Sequence, residues 1–80
     1  MWWLYKKNFE NKRFIQYSYS RESDDLTGII QFDKETGNVS VLKLCDSDLV
    51  APKYLGGKAI EHFSSVASDN FPDMRQVCCG

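Results

Sequence analysis

Cysteine is scarce in this sequence, and its pattern does not fit a disulfide framework. The three cysteines are an odd number, and two of them, Cys78 and Cys79, are adjacent. Small secreted domains use an even number of cysteines at spread positions, so the pattern favours reduced thiols in a cytosolic protein. The sequence also has no C-x-x-C pair, which excludes the usual thiol redox motif.

Long apolar runs are missing as well. No stretch reaches the roughly 18 apolar residues that a membrane-spanning helix needs. Residues 1–7 lack the apolar stretch of about 7–15 residues that a secretory signal carries. The sequence therefore predicts a cytoplasmic protein that does not associate with membranes.

Charge is unevenly spread along the 80 residues, which carry a net charge of −1. Residues 1–21 hold five basic side chains against Glu10, whereas residues 22–80 hold five basic and ten acidic side chains. Seven of the eleven aromatic residues also lie within residues 1–21. The composition, with 42% hydrophobic residues, is ordinary for a globular protein. The short length predicts a single small domain over residues 1–80.

The segment from Gly28 to Cys45 carries the clearest local pattern, that of a β-hairpin. Two runs rich in β-branched residues flank turn residues that include Gly37 and Asn38, both of which tolerate a positive φ. We expect Asp33 to lie opposite Asn38, which sets the register. The expected neighbours are Phe32 with Val39 and Ile30 with Val41 on one face, and Ile29 with Leu42, beside Leu44, on the other.

The remaining elements are predicted from periodicity. Strands are expected over residues 2–7 and 12–19, because Ile15, Tyr17 and Tyr19 alternate with Phe14, Gln16 and Ser18. Apolar residues recur at helical spacing from Pro52 to about Asn70, although Gly56-Gly57 leaves the start of this helix open. A short last strand is expected over residues 74–79. The lengths of helix and strand predict that it runs parallel to residues 38–45.

These elements predict an α+β fold in the order β-β-β-β-α-β. Four strands form an antiparallel meander, one helix packs on one face, and a short C-terminal strand completes the sheet. One helix covers only one face, yet the hairpin carries apolar residues on both, so the uncovered face should be an interface. We expect a non-enzymatic interaction module that forms a homodimer or other homo-oligomer, or binds an unknown protein. The predicted interaction residues are Ile29, Leu42 and Leu44, with Trp2 or Trp3 nearby.

The basic and aromatic N-terminal segment supports an alternative function, binding of single-stranded nucleic acid. Aromatic side chains stack on bases while cations follow the phosphates. The residues that would do so are Trp2, Trp3, Tyr5, Tyr17 and Tyr19 with Lys6, Lys7, Lys12, Arg13 and Arg21. No RNP-type motif is present, and the isoelectric point near 5.7 disfavours a dedicated nucleic-acid binder. The favoured interpretation places these aromatic residues in the core.

No metal, cofactor or catalytic site is predicted. Cys45, Cys78, Cys79 and His62 lack zinc-ligand spacing, and adjacent residues on a strand point to opposite faces. His62 has no nucleophile or orienting acid at a recognisable spacing. The aspartates at 24, 25, 46 and 48 do not fit a calcium loop. An enzyme or thiol protein that uses His62 and Cys78 is a third, less supported alternative.

Overall fold

The fold follows the predicted order of elements. A computed structural model describes residues 2–46 and 52–78, with residues 52–57 described as backbone only. The elements are β1 (Trp2–Glu10), β2 (Phe14–Arg21), β3 (Gly28–Asp33), β4 (Val39–Lys43), α1 (Pro52–Ser68) and β5 (Met74–Cys78). All strands belong to one sheet in the order β4-β3-β2-β1-β5, and every neighbouring pair is antiparallel. The predicted α+β meander with one helix and a short fifth strand is confirmed.

Strand β5 lies at the edge of the sheet beside β1. It pairs antiparallel with β1 from Trp2–Cys78 to Lys6–Met74. Because all neighbours are antiparallel, β4 and β5 run in the same direction, as predicted. They lie at opposite edges, however, so the connection through α1 carries the chain across the whole sheet.

The β1–β2 hairpin is longer than predicted. β1 runs to Glu10 instead of residue 7, and a register shift between Lys7 and Phe9 leaves Asn8 as an extra residue. The turn lies after β1, where Asn11 Oδ1 accepts hydrogen bonds from the backbone N–H groups of Arg13 at 2.8 Å and Phe14 at 2.7 Å. Asn8 therefore forms a β-bulge, which reverses the faces of the residues that follow it.

The β3–β4 hairpin has the predicted turn and most of the predicted register. The Asp33 N–H donates to the Asn38 carbonyl at 2.8 Å, and Gly37 has a φ of 78°. The expected pairs Phe32–Val39 and Ile30–Val41 are present. The expected pair Ile29–Leu42 is wrong, because β4 carries an extra residue at its end and Ile29 lies opposite Lys43.

The core lies between α1 and one face of the sheet, called here the helix face. Three tyrosines on the central strands, Tyr5, Tyr17 and Tyr19, are fully buried there. The Phe63 ring of α1 packs edge-on against Tyr5 at 5.6 Å and Tyr17 at 5.4 Å between ring centroids. The other buried residues on the two layers are Trp3, Ile15, Ile30, Cys45, Ala59, Val66 and Val77.

Each tyrosine hydroxyl of the core binds a backbone group outside the sheet. The Tyr5 hydroxyl donates to the carbonyl of Ala59 in α1 at 2.8 Å. The Tyr17 hydroxyl donates to the Pro72 carbonyl, just after the helix, at 2.6 Å. The Tyr19 hydroxyl accepts the N–H of Cys45, just after β4, at 3.2 Å. The central strands thus fix the helix and the segments that enter and leave it.

Helix α1 ends in a left-handed cap. Asn70 has a φ of 63°, and its N–H donates to the Ala67 carbonyl at 3.1 Å. The Phe71 N–H donates to the Val66 carbonyl at 3.0 Å, which completes a Schellman motif. Phe71 then packs on Phe32 with 4.8 Å between ring centroids. Gly56-Gly57, left open by the sequence, lies inside α1.

Candidate interaction surface

The face of the sheet opposite α1 is the candidate interaction surface, called here the open face. Directly paired residues of antiparallel strands share a face, so the ladder assigns each side chain to one side. Residues that pair with neither the tyrosines nor the other core residues belong to the open face. From β1 to β5 they are Trp2, Leu4, Lys6, Phe9, Phe14, Gln16, Ser18, Ser20, Ile29, Gln31, Asp33, Ser40, Lys43, Met74, Gln76 and Cys78.

Large apolar side chains remain accessible on this face. Met74 is 53% exposed and Phe9 is 48% exposed, and Leu42, at the end of β4, is 54% exposed. Trp2, Leu4, Phe14 and Ile29 are partly buried. Polar groups lie among them, including a hydrogen bond from Gln16 Nε2 to Gln31 Oε1 at 2.9 Å. The open face is therefore a mixed apolar and amide surface, more polar than the sequence predicted.

Not all the predicted interaction residues reach this surface. Trp2 and Ile29 lie on it, and Leu42 is exposed beside it. Leu44 follows the end of β4 and is partly buried. Trp3 lies on the helix face and is completely buried, with its ring 5.9 Å from that of His62. Trp3 is therefore part of the core and does not belong to the interaction surface.

The tyrosines of the predicted nucleic-acid site are likewise inaccessible. Tyr5, Tyr17 and Tyr19 have no exposed surface, so they cannot stack on bases. Burial raises the pKa of Tyr17 to about 12, and the nearby carboxylates of Glu10 and Asp73 add to the effect. Of the cations in that set, Lys7 pairs with Glu10 and Arg13 pairs with Asp33 and Glu35, whereas Lys6 is exposed.

Ion pairs neutralise the carboxylates at the end of the sheet where the two hairpin turns lie. Glu10 binds Lys34 at 2.7 Å and Lys7 at 3.2 Å, and these hydrogen bonds lower its pKa. Asp33 contacts Arg13 at 3.4 Å. Partial burial acts to raise the pKa of Asp33, but hydrogen bonds from the backbone N–H groups of residues 35 and 36 and from Arg13 outweigh it and lower the pKa.

The cations of the open face are not neutralised in this way. Among the described residues, Lys6, Lys12 and Lys43 form no ion pair. Lys6 and Lys43 lie on the open face, and Lys12 lies in the β1–β2 turn. Because Asp33, the one carboxylate that the described ladder places on this side, already binds Arg13, the open face carries excess positive charge.

Both edges of the sheet are protected against pairing with another strand. At β4 the extra residue and Lys43 interrupt a regular edge. At β5 the backbone groups of Gln76 point outward, because the Lys7 N–H donates to Asp73 and bonded pairs alternate along the ladder. The Arg75 guanidinium binds the Gln76 carbonyl and also Asp69. The open face is thus more accessible to a partner than the strand edges are.

The groups considered for metal binding or catalysis are dispersed. In the described part of the chain, no three His, Cys, Asp or Glu side chains lie close enough together to hold a metal ion. Cys45 is buried in the core and Cys78 is exposed on the open face. His62 is partly buried against Trp3. Cys79 and Asp48, also weighed as candidates, lie outside the described residues.

Two aromatic residues of the open face were missed by sequence reasoning. Phe9 lies opposite Gln16 on the open face because the bulge at Asn8 shifts it by one position. The alternation in β2 already placed Phe14 with Gln16, on the face away from the tyrosines, but gave no reason to connect it with Phe9. The signal that was available is the pair of asparagines around Phe9, each of which favours irregular backbone.

Comparisons with known proteins give no relative from which function can be transferred. No protein-family model matches the chain, and no curated protein or solved structure matches it either. The single helix of the described residues is not long and apolar enough to cross a membrane. The geometry of the open face is therefore the basis for inferring what the protein does.

Proposed function

We propose that this protein is a non-enzymatic interaction module that self-associates through the apolar residues of its open face. The observation that supports it is the set of large apolar side chains left accessible opposite the helix. These residues, called here the apolar patch, are Trp2, Leu4, Ile29, Leu42 and Met74. Apolar side chains that remain accessible together on one face of a sheet are typical of an interaction site.

A second copy of the chain is the partner that fits the protected edges best. Edge pairing would require displacing Arg75 from the Gln76 carbonyl on one side, and the bulge with Lys43 interrupts the other. Stacking of two open faces avoids both edges and buries the apolar patch against itself. Such face-to-face packing, with sheets about 10 Å apart, is a common way to form a core between sheets.

The test is the molar mass in solution, measured by light scattering coupled to size exclusion at increasing protein concentration. The wild type should approach the mass of a dimer. The double variant Leu4→Glu/Ile29→Glu should remain a monomer at the same concentrations, because it buries carboxylates in the interface. Ile60→Glu is the matched control, since Ile60 is 38% exposed on the helix, away from the open face.

Two results would contradict self-association through this face. One is a wild type that stays monomeric at the highest concentration reached. The other is a dimer that Ile60→Glu and the double variant weaken equally. Circular dichroism of each variant confirms that the fold is retained before its mass is interpreted.

A further inference from the structure

Two phenylalanine residues, Phe9 and Phe14, lie on adjacent strands at the turn end of the open face. Phe9 pairs with Gln16, and Phe14 is two positions from Gln16 along the same strand. The two residues are therefore diagonal neighbours on adjacent strands, roughly 7–8 Å apart. Phe9 is 48% exposed and Phe14 is partly buried. The exposed ring of Phe9 is the part of this pair on which a flat ligand can stack, with Phe14 beside it.

Amide groups extend this surface across the sheet. Gln16 and Gln31 are paired across β2 and β3 and joined by one hydrogen bond from Nε2 to Oε1. An amide has two donor hydrogens and an acceptor oxygen, so each side chain keeps hydrogen-bonding capacity beyond this bond. Phe9, Phe14, Gln16 and Gln31 together are called here the aromatic platform. It offers both stacking and hydrogen bonding, which are the two contacts that nucleobases make.

Positive charge surrounds the aromatic platform. This charge comes from lysines, because Arg13, whose guanidinium lies 5.1 Å from the centroid of the Phe14 ring, is paired with Asp33 and Glu35. Lys6 precedes the bulge on the open face, Lys12 lies in the turn beside Phe14, and Lys43 lies on β4. The acidic residues Glu22, Asp24 and Asp25 lie in the β2–β3 loop at the other end of the sheet. Although the net charge of the chain is −1, cations are in excess around the aromatic platform.

The geometry points to a binding site for single-stranded nucleic acid on the aromatic platform. Bases stack on Phe9 and Phe14, Gln16 and Gln31 bind base edges, and Lys6, Lys12 and Lys43 bind phosphates. Stacking on exposed rings in a cationic groove is how single strands are bound without a sequence code. A duplex is excluded, because its bases are already stacked and paired. This site uses different residues from the apolar patch but lies on the same face, so the oligonucleotide binds the monomer and competes with self-association.

The test is fluorescence anisotropy of labelled single-stranded oligonucleotides, both DNA and RNA, titrated with the protein. Binding should weaken by about 20-fold between 50 and 200 mM salt, as expected when three lysines neutralise phosphates on a single strand. The variant Lys6→Gln/Lys12→Gln should reduce that salt dependence to the part due to Lys43. Lys58→Gln is the matched control, because Lys58 lies on α1 and pairs with Glu61.

Variants at Phe9 separate stacking from packing. Phe9→Leu should weaken binding about tenfold because it keeps the apolar volume but removes the ring. Phe9→Trp should bind at least as tightly as the wild type. Ile60→Ala is the control for loss of an exposed apolar side chain, since Ile60 is 38% exposed on α1, away from the open face. Its affinity for the oligonucleotide should be unchanged.

The outcomes distinguish this site from the apolar patch. The uncharged variant Leu4→Thr/Ile29→Thr, which adds no carboxylate opposite Lys43, should weaken the dimer yet bind the oligonucleotide. Phe9→Leu should dimerise yet bind the oligonucleotide weakly. No binding at 50 mM salt would overturn the nucleic-acid site. The site would also be overturned if Phe9→Leu and Lys6→Gln/Lys12→Gln left oligonucleotide binding unchanged. The same conclusion would follow if substitutions in the aromatic platform changed only dimerisation.

Discussion

Gly28 and Tyr19 show how single residues fix the end of the β3–β4 hairpin. The Tyr19 ring lies directly over Gly28 across the β2–β3 ladder, and its hydroxyl accepts the N–H of Cys45. A Cβ atom at residue 28 would overlap the Tyr19 ring and lie 2.7 Å from the Cys45 nitrogen. Only glycine allows the ring to approach this closely. The contact ties the exit from β4 to the centre of the sheet.

Gly28→Ala should therefore destabilise the protein. Forcing one methyl group into a packed contact costs about 1–3 kcal/mol. Gly37→Asn is the control in the same hairpin, because Gly37 faces open space and asparagine tolerates its φ of 78°. Urea denaturation measures both free energies of unfolding. Equal stability of Gly28→Ala and wild type would show that the Tyr19 ring is not held over residue 28.

The buried hydroxyl of Tyr17 should make the free energy of unfolding decrease in alkaline solution. Its pKa is raised from 10.0 to about 12 in the folded state, so the unfolded chain loses this proton first. The free energy of unfolding should then decrease as the pH rises between these values. Tyr17→Phe should be about 1 kcal/mol less stable at neutral pH, through loss of the bond to Pro72. The free energy of unfolding of the variant should also decrease less steeply above pH 10. If the stabilities of wild type and Tyr17→Phe decreased in parallel with rising pH, the burial of a protonated Tyr17 would be contradicted.

At the scale of elements, α1 illustrates what periodicity reveals and what it leaves open. Apolar spacing predicted Ala59, Ile60, Phe63 and Val66 on the inner side. Ala59, Phe63 and Val66 are buried, whereas Ile60 is 38% exposed. The end of the helix near Asn70 also followed from the sequence, because Pro72 cannot continue it. The cap itself was not predicted, since it depends on Asn70 and Phe71 both adopting a positive φ.

Substitution of Asn70 tests the cap of α1. Asn70→Ala should destabilise the protein by about 1 kcal/mol, because alanine is strained in the left-handed region, and Asn70→Gly should be neutral or stabilising. Thermal unfolding followed by circular dichroism gives both values. If Asn70→Ala were more stable than Asn70→Gly, the Schellman geometry would be contradicted.

Strand β1 shows why the rest of the sheet was harder to predict. Regular alternation in β2 correctly separated Tyr17 and Tyr19 from Phe14. In β1 the bulge at Asn8 breaks the alternation, so the length of the strand and the face of Phe9 were both missed. Element lengths gave the direction of β5 but not its partner, because a helix can return the chain to either edge of a sheet.

At the scale of the whole molecule, the sheet divides the chain into a packed layer and an accessible one. The tyrosines lie in the core, as the favoured interpretation of the sequence placed them, whereas Trp3 was predicted near the interaction surface and is buried beneath the helix. The open face was predicted to exist, but its members could not be chosen until the register was known. Trp2 and Ile29 were identified from the sequence; Leu4, Phe9 and Met74 required the strand pairing.

Dilution of the isotope-labelled protein, followed by backbone NMR, tests most directly whether the open face is the surface on which this protein acts. Signals of Leu4, Ile29 and Gln76 should shift as the dimer dissociates, while those of Glu61 and Ser64 on the exposed side of α1 should remain unchanged. Shifts confined to α1, or a spectrum independent of concentration, would contradict self-association through the helix-free side of the sheet.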